Sequence, residues 1–285
     1  MLGLALLAAA AMARAAYPAL LERRQVQRRA LGSDGIVIGA EPIEMRRPHA
    51  PAVLLLHGAG DTPHTMGGLA EFLFADGFSV RAPLLPGHGR HLSALTDVSA
   101  ARLHEDVDRE FEALRKDHDR VAVVGLSMGG ALALKLAADR HVDALVLLAP
   151  YVAMPAATRV LALTSDAWGW LLPYFSSLGS RSIRDPVAAA RGLGHGILTP
   201  AALRALYEVM RDGTLALPRV STPTLVIQSR EDNRITRESA ELGFARLGSA
   251  DKKLVWTDGA AHVITVDFGY QRVFELSADW LKSHL

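Results

Sequence analysis

From residue 52 onward, short apolar runs alternate with stretches whose residues favour helices. The apolar runs occupy 52–56, 78–82, 121–125, 144–149, 224–228 and 253–257, and the helical stretches occupy 66–76, 100–116, 129–139, 237–247 and 268–284. Near-continuous Val, Leu and Ile in each run are typical of strands buried on both faces of a parallel sheet. The alternation therefore predicts an α/β fold with a doubly wound, mostly parallel sheet and right-handed crossovers.

The alternation stops after the fourth clear run. Between positions 150 and 218 we expect no clear strand, only helical stretches such as "AWGWLLPYF". Inserted chain at this point of a parallel sheet lies at its carboxyl edge, where ligands bind. We therefore predict a small helical cap at about 151–218, within a catalytic domain spanning 45–285. Trp168, Trp170 and Phe175 are candidate substrate-binding residues, although they could equally pack the cap onto the body.

Charge and cysteine content exclude several classes of function. The 285 residues include 31 Lys and Arg against 30 Asp and Glu, so no basic surface indicates nucleic acid binding. The chain has no cysteine, which excludes disulfides, thiolate nucleophiles and cysteine-based metal sites.

The first 30 residues form an apolar segment with a basic flank. Residues 1–22 hold one basic residue, Arg14, and further arginines follow at 23, 24, 28 and 29. Basic residues after an apolar stretch favour a cytoplasmic position for the following domain, so we predict membrane association through residues 1–22. A cleaved signal peptide, with the small residues Ala11 and Ala13 in an A-x-A pattern, and a peripheral helix are the alternatives.

A serine between two glycines stands at the junction of a strand and a helix. The sequence "VAVVGLSMGG" runs from the apolar run at 121–125 through Ser127 into the helical stretch at 129–139. Gly-x-Ser-x-Gly in this context is the nucleophile elbow, in which a sharp turn exposes the hydroxyl beside a helix N-terminus. The alternative is a glycine-rich turn with an incidental serine.

Candidate acids and a candidate base follow later strands in the order that such a serine requires. A serine needs a base to take its proton and an acid to orient that base. Glu231 and Asp232 follow the run at 224–228, and His262 follows the run at 253–257. Among the other histidines, His88 and His91 in "PGHGRH" could suggest a metal site. With no third ligand nearby, a role in the loop is the better interpretation.

Two backbone N–H groups are expected to stabilise the oxyanion of a tetrahedral intermediate. One belongs to the residue after the nucleophile, Met128, and the other comes from the loop after an early strand. That loop is "HGAGDT", in which Ala59 is the candidate donor and His57 is expected to be structural.

These segments together resemble a known family. "LLLHGAG", "GHG", "GLSMGG", "QSRED" and "AAHVIT" are similar to the corresponding segments of α/β-hydrolases of the carboxylesterase and monoacylglycerol lipase type. The resemblance implies Ser127 as nucleophile, Asp232 as orienting acid in preference to Glu231, His262 as base, and no metal or organic cofactor. The chain departs from several relatives at Ala59, where they carry a large apolar residue.

The expected activity is hydrolysis of short or medium acyl esters through an acyl-enzyme on Ser127. Monoacylglycerols and lysophospholipids are candidate substrates, so the expected partner is a small-molecule ester and not a nucleic acid. The same three side chains also serve amidases and peptidases, acyltransferases and C–C hydrolases, and a catalytically silent ligand-binding relative is a further alternative.

Overall fold

The structure is a computed structural model that describes residues 16–17, 20–21, 29–176, 182–194 and 196–285. Its strands are β1 (Ile43–Met45), β2 (Ala52–Leu56), β3 (Ser79–Ala82), β4 (Val121–Leu126), β5 (Leu145–Leu148), β6 (Phe175–Ser176), β7 (Ile197–Leu198), β8 (Thr224–Ser229) and β9 (Lys252–Thr257). Seven of these form one sheet in the order β1-β3-β2-β4-β5-β8-β9. Only β1 runs antiparallel to its neighbour there, so the predicted mostly parallel sheet is confirmed.

Helices cover both faces of this sheet and fill the insertion between β5 and β8. They are α1 (Gly67–Ala75), α2 (Ala100–Asp117), α3 (Met128–Asp139), α4 (Ala156–Leu163), α5 (Ser165–Trp168), α6 (Pro186–Arg191), α7 (Pro200–Ala216), α8 (Arg237–Arg246) and α9 (Tyr270–His284). Short 3₁₀ helices lie at Pro63–Met66, Leu92–Asp97 and Leu217–Arg219. We use the name cap for residues 151–218, which contain α4 to α7.

The two faces of the sheet build two separate hydrophobic cores. Along β2, Leu54 and Leu56 face a core that includes Phe111 of α2, whereas Val53 and Leu55 face a core that includes Phe274 of α9. Successive side chains of a strand point to opposite faces, so a strand buried on both must be apolar throughout. Burial of each Leu or Val side chain contributes about 1.5–3 kcal/mol. This explains why the central strands were recognisable as unbroken apolar runs.

Three short strands depart from the predicted alternation. β1 is an edge strand of three residues that pairs antiparallel with β3, with Ile43 opposite Ala82. The prediction that the cap holds no strand was wrong at β6 and β7, which pair antiparallel with Phe175 opposite Leu198. Runs of two or three residues are too short to show a period of two, so pattern alone could not find them.

The predicted apolar segment at residues 1–22 lies mostly outside the described residues. Within the part of the chain that the structure describes, no helix combines the length and the apolar character needed to cross a membrane.

The cap is attached to the body by close packing of α7 against α3. A Cβ atom on Gly213 of α7 would lie 2.6 Å from the carbonyl oxygen of Ala131 in α3. Real Cβ atoms do not approach backbone that closely, so α7 can reach this position only because residue 213 has no side chain.

We expect Gly213→Ala to destabilise the protein by about 1–3 kcal/mol, the usual cost of overpacking. Ala normally stabilises a helix interior relative to Gly by up to about 1 kcal/mol, so the sign is diagnostic of the close contact. Chemical unfolding measures the effect. Leu215→Ala on the same helix is the control, because Leu215 is 64% exposed and should change stability little. Equal or greater stability of Gly213→Ala would contradict the close packing.

Candidate active site

Ser127 occupies a strained turn between a central strand and a helix. β4 ends at Leu126 and α3 begins at Met128, and Ser127 between them has φ 54° and ψ −114°. A positive φ is costly for a residue with a side chain. The glycines on either side permit the turn, since a Cβ on Gly125 would lie 2.3 Å from the Gly129 oxygen, and one on Gly129 would lie 2.1 Å from the Leu56 oxygen.

The structure brings the three predicted side chains into one hydrogen-bonded chain. The hydroxyl Oγ of Ser127 lies 2.7 Å from His262 Nε2, and His262 Nδ1 lies 2.8 Å from Asp232 Oδ2 and 3.1 Å from Oδ1. Because the carboxylate can only accept, Nδ1 carries the proton and Nε2 is left to accept from the serine hydroxyl. The His262 side chain is 7% exposed and that of Asp232 is fully buried. This arrangement can move a proton from Ser127 to His262.

The Asp232 carboxylate is held by its own loop and strand as well as by His262. Its Oδ1 accepts from the backbone N–H groups of Arg234 (2.7 Å) and Ile235 (3.0 Å), and its Oδ2 accepts from Gln228 Nε2 (2.7 Å). Burial acts to raise the pKa of Asp232, but the bond and charge of His262 and the two N–H donors outweigh it and lower that pKa. Asp232 is therefore ionised and fixed in orientation.

Gln228 is a site residue that the sequence reasoning missed. It is fully buried on β8, where its amide reaches Asp232. Its only signal was a polar residue at the end of an otherwise apolar strand.

The carboxylate of the neighbouring acid, Glu231, bonds to groups other than His262. Its Oε2 accepts from the backbone N–H of Gly259 (3.0 Å) and from Ser229 Oγ (3.3 Å). Glu231 thus joins the loops after β8 and β9, and Asp232 is the acid that the fold places against the imidazole.

The two residues predicted to supply oxyanion donors, Ala59 and Met128, lie close to Ser127 in the chain or in space. Met128 is the first residue of α3, so its N–H has no partner within the helix and points from the helix N-terminus. The loop after β2 lies alongside, since a Cβ on Gly58 would be 3.4 Å from Ser127 Cβ. Ala59 follows directly and lines the same cavity.

His57 joins the start of the loop after β2 to the backbone at Leu85. Its Nδ1–H donates to the Gly58 oxygen (2.9 Å), and its Nε2 accepts from the Leu85 N–H (3.1 Å). Burial, with the nearby His88, lowers the pKa of His57 to about 3, so it is neutral. His88 is also buried, and its Nδ1–H donates to the Pro86 oxygen (2.9 Å). The described residues include no cluster of three His, Cys, Asp or Glu placed to bind a metal ion.

A cavity of about 800 Å³ opens above Ser127 and His262, between the cap and the body. Its apolar lining comes mainly from the cap and includes Leu161, Phe175, Ile183, Ile197, Leu198, Leu203 and Leu206. Phe175, one of the three candidate substrate-binding residues, is among these lining residues. Trp168 stands behind it in edge-to-face contact at 5.5 Å and does not line the cavity. Trp170 is 63% exposed and likewise lies outside the lining, so the cavity departs from the prediction at both tryptophans.

A few polar groups interrupt the apolar lining. Asp61 accepts from the Thr62 N–H (2.8 Å) and from Thr65 Oγ1 (2.7 Å), and burial raises the pKa of its carboxyl to about 6. Arg234, in the loop after β8, and Tyr151, at the start of the cap, also line the cavity. Burial raises the pKa of Tyr151 despite the charge of Arg234. Sequence reasoning did not single out any of these residues.

The fold and the site together define an α/β-hydrolase with a nucleophile elbow. A family model described as serine aminopeptidase, S33, matches residues 47–268 of the chain. The chain belongs to this family of serine hydrolases.

Similar proteins include lipases and esterases. A thermostable monoacylglycerol lipase of Bacillus sp. (strain H-257) is 30% identical over 254 residues, which cover 87% of this chain and 97% of the relative. The human monoglyceride lipase is 31% identical over 234 residues, 74% of this chain and 75% of the relative. A solved structure described under the metagenome-derived lipolytic enzymes LipS and LipT has a TM-score of 0.78 at 28% identity, covering 86% of this chain and 98% of its own.

The two adjacent acids allow a matched test of the site. Replacing Asp232 by Asn keeps the shape of the side chain but supplies an N–H₂ where His262 needs an acceptor, so we expect kcat for an activated ester to fall about 10⁴-fold. Glu231→Gln should leave kcat within about threefold of wild type, since Glu231 does not contact the imidazole in the structure. Steady-state kinetics of both variants decides the assignment, and a reversed order of effects would exclude Asp232.

Proposed function

We propose that this protein hydrolyses carboxylic esters through an acyl-enzyme on Ser127, with His262 as base, Asp232 as orienting acid and the N–H groups of Ala59 and Met128 as oxyanion donors. The observation that carries the proposal is the unbroken chain of hydrogen bonds from Ser127 through His262 to Asp232 at the floor of an apolar cavity.

The proposed mechanism uses this proton path in both directions. Nε2 of His262 takes the hydroxyl proton as Ser127 Oγ attacks the ester carbonyl, and the Asp232 carboxylate stabilises the imidazolium. The N–H groups of Ala59 and Met128 donate to the oxyanion. As the tetrahedral intermediate collapses, the imidazolium protonates the leaving alcohol. A water, deprotonated by His262, then attacks the acyl-enzyme and releases the carboxylic acid and free Ser127.

The cavity favours an ester with one acyl chain and a small polar alcohol. Leucine and isoleucine side chains of the cap offer apolar contact for an acyl chain, whereas Asp61 and Thr65 offer hydrogen bonds near Ala59. A volume of about 800 Å³ suits a molecule of that size. Monoacylglycerols have this chemistry, and two of the similar proteins bear the names monoacylglycerol lipase and monoglyceride lipase. Ala59 leaves more room beside the oxyanion donors than a large apolar residue would.

A second candidate is hydrolysis of an amide at the amino end of a peptide. The matching family model is described as serine aminopeptidase, and the Asp61 carboxyl in the cavity wall could pair with an α-ammonium group. The mostly apolar lining of the cavity favours the ester over a charged amino end.

Hydrolysis of p-nitrophenyl esters from acetate to palmitate, alongside aminoacyl p-nitroanilides, tests the proposal. We expect wild type to cleave the esters, with the preferred acyl length reporting the cavity, and Ser127→Ala to lose about six orders of magnitude in kcat. Faster cleavage of the anilides would favour the peptidase. Ester cleavage that persists in Ser127→Ala would refute the mechanism.

We also propose that residues 1–22 associate with a membrane and bring the site close to lipid esters. The apolar sequence with basic residues after it supports this proposal. We expect deletion of residues 1–15, which leaves every described residue in place, to move the protein from the membrane pellet to the supernatant of a fractionated lysate. Ester turnover of the released protein should match that of the full chain. An unchanged distribution would contradict the proposal.

A further inference from the structure

Asp267 is a fully buried carboxylate that the proposed mechanism does not use. It lies between the loop that carries His262 and the helix α9, and four backbone N–H groups donate to it. Its Oδ2 accepts from Arg184 (2.8 Å) and Ala261 (2.7 Å), and its Oδ1 accepts from Asp185 (2.9 Å) and Phe268 (2.9 Å). Burial acts to raise the pKa of Asp267, but these four donors outweigh it and lower that pKa, so the group is ionised.

Each oxygen of Asp267 joins two separate parts of the chain. Arg184 and Asp185 belong to the cap, whereas Ala261 and Phe268 belong to the loop around His262. Oδ2 therefore bridges Arg184 to Ala261, and Oδ1 bridges Asp185 to Phe268. A carboxylate that served only to finish its own loop would need no donors 82 and 83 residues away.

Two further hydrogen bonds join Ser182, in the same stretch of the cap, to the loops that carry His262 and Asp232. The N–H of Val263 donates to the Ser182 oxygen (2.9 Å), and Nε of Arg234 donates to Ser182 Oγ (3.0 Å). Val263 directly follows His262, and Arg234 is two residues beyond Asp232. Residues 182–185 of the cap are thus hydrogen-bonded both to the loop that carries His262 and, through Ser182, to the loop that carries Asp232.

This junction lies at the wall of the cavity. Ser182 and Ile183, which directly precede Arg184, line the cavity. On the other side, Ala261 immediately precedes His262. Movement at Asp267 would therefore shift the cavity wall and the imidazole together. Displacement by about 1 Å can cost an enzyme about 10²-fold in rate even when its origin is remote from the chemistry.

We propose that Asp267 is a positioning residue that holds the cap wall at 182–185 and the His262 loop in one register, so that substrate fit and the placement of the base depend on the same carboxylate. The inference rests on the proposed ester hydrolysis at Ser127 and His262.

Asp267→Asn is the primary test, because the amide keeps the volume of the side chain but can accept hydrogen bonds only at its oxygen and not at its nitrogen. One cap N–H and one loop N–H then face the N–H₂ group whichever way the amide is turned. We expect kcat to fall about tenfold on both p-nitrophenyl acetate and decanoate, through the displaced His262. We expect KM to rise about fivefold for decanoate but less than twofold for acetate, because only the long chain reaches the cap wall.

Ser277→Ala is the matched control for stability. Ser277 is fully buried on α9, where its hydroxyl donates to the Val273 oxygen (2.7 Å), so its loss removes a buried hydrogen bond away from both loops. We expect its kcat and KM to stay within about twofold of wild type. Kinetic constants of Asp267→Asn that match this control, or a change in KM that is equal for both esters, would overturn the proposal.

Hydrogen exchange provides a second test, which starts from the wild type and does not depend on enzyme activity. The amides of Arg184, Asp185, Ala261 and Phe268 share one acceptor group, so we expect their protection factors to agree within about tenfold. In Asp267→Asn, protection should fall in the cap peptide and the His262 peptide together. Rapid exchange of the Arg184 and Asp185 amides together with slow exchange of the Ala261 amide in wild type would overturn the proposal. Failure of the proposed function would instead appear as ester turnover that is insensitive to Ser127→Ala.

Discussion

The strained backbone at Ser127 is the constraint around which the rest of the molecule is arranged. A residue held at positive φ costs about 1–3 kcal/mol and persists only where its surroundings leave no alternative. Here β4 pairs with β2 and β5 on its two sides, and the Ser127 N–H donates to the Leu148 oxygen at 2.9 Å. The helix α3 must then begin directly after Ser127, with the backbone of Gly129 packed closely against the end of β2. The Ser127 hydroxyl therefore lies at the carboxyl edge of the sheet, just beyond the last residue of β4.

The carboxylates around the cavity differ in charge because they differ in how many donors they receive. Asp232 and Asp267 each collect backbone N–H groups, and Asp232 also has the imidazole, so both have a lowered pKa despite burial. Among the described residues, Asp61 accepts hydrogen bonds from the Thr62 N–H and the Thr65 hydroxyl, and burial outweighs them and raises its pKa to about 6. Asp232 and Asp267, whose pKa values are lowered, both bond to the loop that carries His262, whereas Asp61 has a pKa raised to about 6.

Local pattern was sufficient for the parallel strands of the sheet and for the elbow, because each depends on residues close together in sequence. The central strands are buried on both faces and so appear as apolar runs, and Gly125, Ser127 and Gly129 carry the turn by themselves. Spacing could not separate Glu231 from Asp232, since consecutive residues in a turn point in different directions and only the resemblance favoured Asp232.

Other features depend on contacts that have no sequence signature. Trp168 and Phe175 share the same apolar character, yet only one lines the cavity. Asp267 was not recognisable because its cap partners are backbone N–H groups some eighty residues away, and any residue except proline supplies such a group. A buried carboxylate of this kind becomes visible only when the fold has brought its donors together.

The cap is joined to the body at points that adjoin the residues proposed for catalysis. It begins at Tyr151, whose N–H donates to the Ser127 oxygen at 3.0 Å, and it returns at Ser182, whose oxygen accepts from the residue after His262. These attachments use backbone atoms, so they do not depend on which side chains the cap carries. The side chains that line the cavity, such as Phe175, Ile197 and Leu198, project from segments between the attachments. Substitutions of these side chains can reshape the cavity while leaving Ser127 and His262 in place, unlike changes at residues 182–185, which Asp267 joins to the His262 loop.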